Sequence, residues 1–327
     1  MVASKREQIS LFFTSLAKEI VTVSLMLFRI MIPVIIVIRI LEELGLIVYL
    51  SQLLAPVMGI VGLPESMGLV WATTMVTNIY GGMIIFFNAA ETTPLTIAQA
   101  TIIGGMMLVA HSMPIEVRIA QKAGVRLAAT LVLRIVGAVI YGLLLNGLYS
   151  AGDWLQTPHQ MSWIPEQVDT SWLGWGITQL KNIGIIFLII AALITLLRIL
   201  KILHIERLLQ VLLQPVLRLL GIGHQATNVT IIGMTLGLSI GGGLLINEAR
   251  QGHILPKDIF SSMGLLGLCH SIIEDTLLIL LLGADISGVL WLRLVFGVLV
   301  VAIIFRLLER CSDSFKNRFL YQIKPPS

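Results

Sequence analysis

Histidines and carboxylates lie inside segments of this chain that are otherwise apolar. His111 and His270 are each followed by a serine, and an acidic residue, Glu116 or Asp275, comes five positions after each histidine. An imidazole changes charge near neutral pH, and a carboxyl group can become neutral on burial. Charged groups in hydrocarbon are costly and rare unless they have a role. The spacing predicts sites that handle protons or a polar substrate; the alternative is helix ends near lipid headgroups.

The same polar residues recur at one fixed offset of 159 positions. The recurring pairs are Arg39 and Arg198, Pro56 and Pro215, Gly82 and Gly241, Asn88 and Asn247, His111 and His270, Ser112 and Ser271, Glu116 and Asp275, and Arg134 and Arg293. Apolar background repeats by chance in a chain rich in Leu and Ile, but intramembrane charges do not. We interpret the chain as a duplicated membrane unit whose recurring polar residues mark its functional centre.

Side chains four residues apart share a helix face, which brings each serine close to its acidic neighbour. We therefore expect Glu116, Asp275 and also Glu274 to couple proton movement to function. Arg134 and Arg293 each lie within a predicted final span. A guanidinium there reaches a membrane interface, pairs with a buried carboxylate, or binds an anionic ligand through two parallel hydrogen bonds. The expected carboxylate partners are Glu116 and Asp275, each in its own repeat or across the pseudo-axis.

A glycine-rich stretch marks the third apolar segment of each half, at 77–82 and at 239–243, and an asparagine follows each. Consecutive glycines in lipid allow either close helix packing or an unwound stretch that binds a ligand. Proline 114 predicts a second interruption, near Ala110 and His111. The predicted substrate-binding residues are Asn78, Gly81, Gly82, Asn88, His111, Ser112, Arg134, Gly241, Gly242, Gly243, Asn247, His270, Ser271 and Arg293.

The elements that carry these residues must be membrane helices. Apolar residues make up 57% of 327, charged residues only 12%, and the mean hydropathy is +0.94. Apolar runs of about 20 residues can cross a bilayer as helices. Because backbone groups in lipid must be hydrogen-bonded internally, and these runs lack the alternation of a strand, we expect them to be helical. The predicted spans are 20–41, 44–63, 66–88, 95–117 and 126–149, then 183–200, 203–222, 225–247, 254–276 and 285–308. The second span of each half is short and is either a crossing or a re-entrant segment.

Loop charges predict that the two repeats have opposite orientations. The loop with Arg118, Lys122 and Arg126 is basic, whereas its counterpart carries Asp285 in place of Arg126. Under the positive-inside rule this reversal places the two loops on opposite sides, which requires an odd number of crossings per repeat. The fold class is thus an all-α integral membrane protein with two inverted-topology repeats of about five helices each, including interrupted or re-entrant segments.

The charged ends of the chain set the predicted orientation. Basic residues near the N-terminus and in the C-terminal tail place both termini in the cytoplasm, with the protein in the cell inner membrane. The predicted organisation is a cytoplasmic segment at 1–25, membrane repeats at 26–149 and 185–308, a Trp-rich interfacial connector at 150–184 and a cytoplasmic tail at 309–327.

Two stretches carry a resemblance to a known family. The run I-R-I-L-E-E-L-G-L-I-V-Y-L-S-Q-L-L-A-P-V-M-G-I-V-G-L-P at 38–64 and the run M-V-T-N-I-Y-G-G-M-I at 75–84 resemble the gate, or nucleoside-recognition, domain. That domain occurs in spore maturation proteins and in the membrane parts of ferrous-iron and concentrative nucleoside transporters. The resemblance implies one such unit per repeat, with Asn78, Gly81, Gly82 and Gly241 to Gly243 at a permeation site.

These observations predict a secondary transporter of a small polar, anionic solute, bound midway between the repeats. The alternatives are a flippase or carrier of a phosphate-bearing lipid, and a membrane assembly factor that transports nothing. The sequence has no phosphate loop and no hydrolase motif, so we expect no enzymatic activity. Cys269 and Cys311 cannot form a four-thiolate centre, and we expect no cofactor and no bound metal. The expected partners are the bilayer and a small-molecule or lipid-headgroup substrate, not nucleic acid; a homo-oligomer is left open.

Overall fold

The computed structural model describes residues 5–160, 171–203 and 205–321. All regular secondary structure in these ranges is helical, apart from two isolated bridges that join Thr96 to Pro158 and Val125 to Tyr321. Helices satisfy their own backbone hydrogen bonds, as lipid requires. The predicted class, an all-α integral membrane protein, is confirmed.

Fourteen of the helices in the described residues form two matching sets of seven. The first set is α1 (Lys5–Glu43), α2 (Leu46–Ile60), α3 (Met67–Val76), α4 (Ile79–Thr92), α5 (Ile97–Val109), α6 (Met113–Ala123) and α7 (Leu127–Ala151). The second set is α8 (Trp172–Ile202), α9 (Ile205–Leu219), α10 (His224–Leu236), α11 (Leu238–Arg250), α12 (Pro256–Leu268), α13 (Glu274–Leu280) and α14 (Leu292–Arg310). A π-helical turn, Ser287–Trp291, leads into α14, and the short α15 (Asp313–Phe319) follows it. The number of helices per repeat exceeds the predicted five because two predicted spans in each half are broken.

The predicted spans 66–88 and 225–247 do not cross as single helices. Each folds back on itself, as two close approaches show: a methyl group at Gly82 would overlap the hydroxyl of Thr74, and one at Gly241 would overlap the backbone of Gly233. In a continuous helix, residues eight positions apart are separated by about 12 Å. The two segments are therefore helical hairpins, α3 with α4 and α10 with α11.

The second helix of each hairpin begins at equivalent positions of the two repeats, Asn78 and Gly237. Asn78 is extended, and its side chain accepts a hydrogen bond from the N–H of Gly81 at 2.9 Å, which caps α4. Gly237 takes its place in the second half with a φ of 93°, a conformation that is open to glycine but not to residues with a Cβ. Two different residues, in different backbone conformations, thus begin the second helix of each hairpin.

The fourth segment of each half is also interrupted, as the proline predicted for the first half. Ala110 and Ser112 leave helical geometry between α5 and α6, which meet at 41°. Cys269 and Ser271 do the same between α12 and α13. Ser112 and Ser271 adopt left-handed conformations with φ values of 48° and 46°.

Fewer segments are long enough to cross a bilayer than the ten predicted. Among the described residues, four helices have sufficient length and apolarity, and the bent pair α5 with α6 makes a fifth. Helices α2 and α9 have 15 residues each, about 22 Å, which is less than the roughly 30 Å of a bilayer core. These candidates are the first, fourth and fifth segments of the first half and the first and fifth segments of the second half.

Two predicted boundaries fall inside helices. Helix α1 runs without a break across the predicted start of the first repeat at residue 26, and α8 begins at Trp172, before the predicted end of the connector at 184. The connector tryptophan at 163 lies outside the described residues. The repeats themselves are packed into one core, with α6 against α11 and α7 against α12.

Candidate functional site

His111 and His270 meet where the two repeats contact each other. Their Nε2 atoms are 3.0 Å apart, and both residues are buried. The Nδ1 of each ring lies at hydrogen-bond distance from the carbonyl oxygen four residues earlier, 3.1 Å to Met107 and 2.6 Å to Leu266. A carbonyl only accepts, so each Nδ1 carries the ring hydrogen in these bonds. When both rings are neutral, the two Nε2 atoms then face each other as acceptors.

Two carboxylates approach the same point. Glu116 Oε1 is 3.2 Å from the Nε2 of His111 and 3.3 Å from that of His270. Asp275 Oδ2 lies 3.7 and 3.9 Å from the same two atoms. We call His111, His270, Glu116 and Asp275 the tetrad. It consists of two equivalent pairs, one from each repeat.

The interrupted helices bring the tetrad together. The left-handed serines redirect the chain immediately after each histidine, so that α6 and α13 start beside the imidazoles with an acidic residue in the first turn. The N–H of Ser112 donates to the carbonyl of Thr74 at 3.1 Å, and the N–H of Ile272 donates to that of Met234 at 2.9 Å. Each interruption is thereby hydrogen-bonded to the first helix of the neighbouring hairpin, close to the hairpin turn.

Arg134 and Arg293 lie behind the tetrad and are almost completely buried, with exposures of 0% and 1%. The Nε of Arg134 donates to the carbonyl of Val109 at 3.0 Å, and the Nε of Arg293 donates to that of Leu268 at 3.2 Å. These carbonyls belong to the last residues of α5 and α12, where helical partners are missing.

The remaining contacts of the arginines differ. Arg134 Nη1 forms an ion pair with Glu116 Oε2, the partner that the sequence predicted. Arg293 Nη2 instead donates to the carbonyl of His270 at 2.5 Å. Within the described residues, no salt bridge joins Arg293 to Asp275.

A cavity of about 260 Å³ opens beside the tetrad. Its lining includes eight of the predicted binding or proton-coupling residues, namely Asn78, His111, Ser112, Glu116, His270, Ser271, Glu274 and Asp275. Four of the eight come from each half of the chain. The cavity is therefore a shared feature of the two repeats.

Other predicted site residues lie away from this cavity. Gly81, Gly82 and Gly241 to Gly243 are inside α4 and α11, where Gly82 and Gly241 allow close packing within the hairpins. Asn88 lines a small apolar pocket between α4 and α8, and Asn247 is exposed near the end of α11. Arg134 and Arg293 are not among the residues that line the cavity.

Six lining residues were not singled out from the sequence, namely Leu27, Ile79, Tyr80, Gly237, Leu238 and Leu278. Tyr80 faces Glu274 through its hydroxyl, and Gly237 and Leu238 form the turn of the second hairpin. The position of Gly237 was detectable, because it is the equivalent of Asn78 at the same offset. The mismatch of residue type hid it.

The fold and the buried polar centre define a polytopic membrane protein. The chain is 26% identical over 280 residues to the uncharacterized membrane protein YvoD of Bacillus subtilis (strain 168), an alignment that covers 83% of this chain and 87% of that protein. No protein-family model and no solved structure matches the chain.

Proposed function

We propose that this protein is a secondary transporter that binds a small polar, anionic solute in the cavity between its repeats. The observation that carries the proposal is the meeting of two pairs of interrupted segments at one polar cavity. Transporters built from repeats place such interruptions at the substrate site, where helix ends and free backbone groups contact the solute.

Helix N-termini support the preference for an anion. Helices α4 and α11 both start at the cavity, at Asn78 and Gly237. First-turn N–H groups have no acceptor within their own helix, and the helix dipole favours negative charge there. Neither helix has an acidic residue in its first turn, whereas α6 and α13 carry their own carboxylates.

We also propose that the broken segment α12 with α13 crosses as α5 with α6 does, which gives three crossings per repeat and two repeats of opposite orientation. This arrangement would place Lys122, at the end of α6, and Asp285 on opposite sides of the membrane, as the charges around them favour. We propose that both termini are in the cytoplasm and that the protein lies in the inner membrane. The gate-domain resemblance is compatible with this proposal, because the stretch at 75–84 that carries it forms the turn of the first hairpin.

Ligand-induced stabilisation tests the choice of solute, since a compound that binds the native state raises the melting temperature. The purified protein is screened with inorganic phosphate, dicarboxylates, nucleosides and a polyprenyl phosphate. We expect an anion to raise the melting temperature of the wild type and of Asn88→Ala, but not of Asn78→Ala, because only Asn78 lines the cavity. Stabilisation by nucleosides alone, or an anion response that survives Asn78→Ala, contradicts the proposal.

A further inference from the structure

We propose that His111, His270, Glu116 and Asp275 bind one divalent transition-metal ion. This site is additional to the anionic solute and stands on the side-chain cluster alone. The ligand atoms of His111, His270 and Asp275 form a buried group that is close enough to share an ion. Glu116 Oε1 lies within 3.3 Å of both imidazole Nε2 atoms and supplies a fourth donor.

The hydrogen-bond pattern of the histidines calls for a cation between them. Both Nδ1 atoms donate to backbone carbonyls, which leaves two Nε2 lone pairs at a separation of 3.0 Å. Carboxylate oxygens from Glu116 and Asp275 face the same space and also only accept when they are ionised. Four acceptors without a donor repel one another unless a proton or a metal ion lies among them, and a metal ion can satisfy all four at once.

The distances match the geometry of a tetrahedral metal site. With metal–ligand bonds of about 2.1 Å, tetrahedral donor atoms are about 3.4 Å apart. The five separations that involve a histidine range from 3.0 to 3.9 Å. Little movement of the side chains is needed to place all four donors at bonding distance.

The surroundings of the donors resemble the outer shell of metal centres. A histidine ligand usually donates its other ring N–H to a carbonyl or carboxylate, which fixes the ring; both histidines do so here. Glu116 uses Oε2 for Arg134, and its Oε1 faces the two imidazoles. Asp275 Oδ2 is buried and has no hydrogen-bond partner within the described part of the chain.

The local charge also permits a divalent ion. Three carboxylates, from Glu116, Glu274 and Asp275, line the cavity, while the two guanidiniums are behind it. Two imidazoles and two carboxylates suit zinc and its first-row neighbours better than magnesium, which prefers water and oxygen ligands in an octahedron. We therefore expect Zn²⁺ and Co²⁺ to bind.

The test is titration of purified, chelator-treated protein with Zn²⁺, followed by calorimetry, and with Co²⁺, whose visible spectrum reports the ligand geometry. We expect one ion per chain and a tetrahedral Co²⁺ spectrum. His270→Gln and the isosteric Asp275→Asn should each weaken Zn²⁺ binding by more than the roughly 10- to 100-fold that loss of an outer-shell partner costs. Melting curves confirm that both variants are folded.

His253→Gln is the matched control. His253 forms an exposed pair with Glu248 at 3.0 Å. The substitution therefore removes a histidine–carboxylate pair that lies outside the cavity. The inference is overturned if the wild type binds no Zn²⁺, or if the control weakens binding as much as His270→Gln does. If Zn²⁺ binds but no anion stabilises the protein, the metal site stands and the anionic solute is rejected. If an anion stabilises the protein but Zn²⁺ does not bind, the anionic solute stands and the metal site is rejected.

Discussion

The Nε of Arg134 donates a hydrogen bond to the carbonyl oxygen of Val109, the last residue of α5, at 3.0 Å. This contact places a fixed positive charge at a helix C-terminus, where the interruption leaves carbonyls without partners. Arg293 and Leu268 repeat it in the second half. The arginines thus stabilise the interrupted helices that position the histidines, and they do so from outside the cavity.

Arg134→Gln should destabilise the protein more than Arg293→Gln. Loss of Arg134 takes the guanidinium away from the buried carboxylate of Glu116, at a cost of about 3 to 5 kcal/mol. It also removes the hydrogen bond to the Val109 carbonyl, at a further cost of about 1 to 3 kcal/mol. Loss of Arg293 removes hydrogen bonds to two backbone carbonyls, at about 1 to 3 kcal/mol for each unsatisfied group. Denaturant unfolding in detergent compares the two variants.

The double variant Arg134→Gln with Glu116→Gln is the control for this explanation. It removes both charges, so it should recover part of the stability that Arg134→Gln loses. If the double variant is as unstable as the sum of the two single variants, Arg134 acts through the Val109 carbonyl and not through the ion pair.

Gly241→Ala should disrupt the second hairpin, whereas Gly243→Ala should not. A methyl group at Gly241 would overlap the backbone of Gly233, which cannot move as a side chain can. At Gly243 no atom lies within 4 Å of the added methyl group, and alanine favours the helix by about 1 kcal/mol. Melting temperatures should fall for the first variant and stay equal or rise for the second. Equal losses would show that α10 and α11 do not pack as described.

Ser271→Gly should be more stable than Ser271→Ala by about 1 kcal/mol. Both variants remove the hydroxyl, but only glycine adopts the observed φ of 46° without strain. The difference in unfolding free energy therefore reports the left-handed conformation alone. If alanine is equally tolerated, the chain does not turn at Ser271 as the structure shows.

Cysteines at Lys122 and Ile286 test the inverted orientation of the repeats. Both residues are exposed. Lys122 lies in the last turn of α6, and Ile286 immediately precedes the π-helical turn, so they mark the two connections whose charges differ. In a Cys311→Ser background, where the remaining Cys269 is buried, an impermeant maleimide should label Lys122→Cys only from the cytoplasmic side. It should label Ile286→Cys only from the opposite side. Labelling of both from one side would exclude inverted repeats.

Much of the fold could be predicted because apolar length and recurring charges are visible in the sequence. The predicted final spans, 126–149 and 285–308, agree closely with Leu127–Ala151 and Ser287–Arg310. The hairpins could not be predicted, because hydropathy does not distinguish a segment that crosses from one that turns back. The residue types at the two turns, Asn78 and Gly237, also differ, so the repeat did not reveal them.

The candidate site shows the same division. The offset pairs His111 with His270, and the structure brings them into contact. The asymmetry of the arginine contacts follows from side-chain length, since Glu116 has one methylene more than Asp275 and reaches its arginine. The exclusion of the arginines from the cavity depends on tertiary packing, which spacing along the chain does not describe.

The cavity beside the histidines, which we propose as a transport site, should open to each side of the membrane in turn. Ser112 lines the cavity, so Ser112→Cys in the Cys311→Ser background reports its exposure. We predict that an impermeant maleimide labels this cysteine both in right-side-out and in inverted membrane vesicles, while Lys122→Cys reacts in only one of them. Labelling of Ser112→Cys from a single side, under all conditions, would contradict the account.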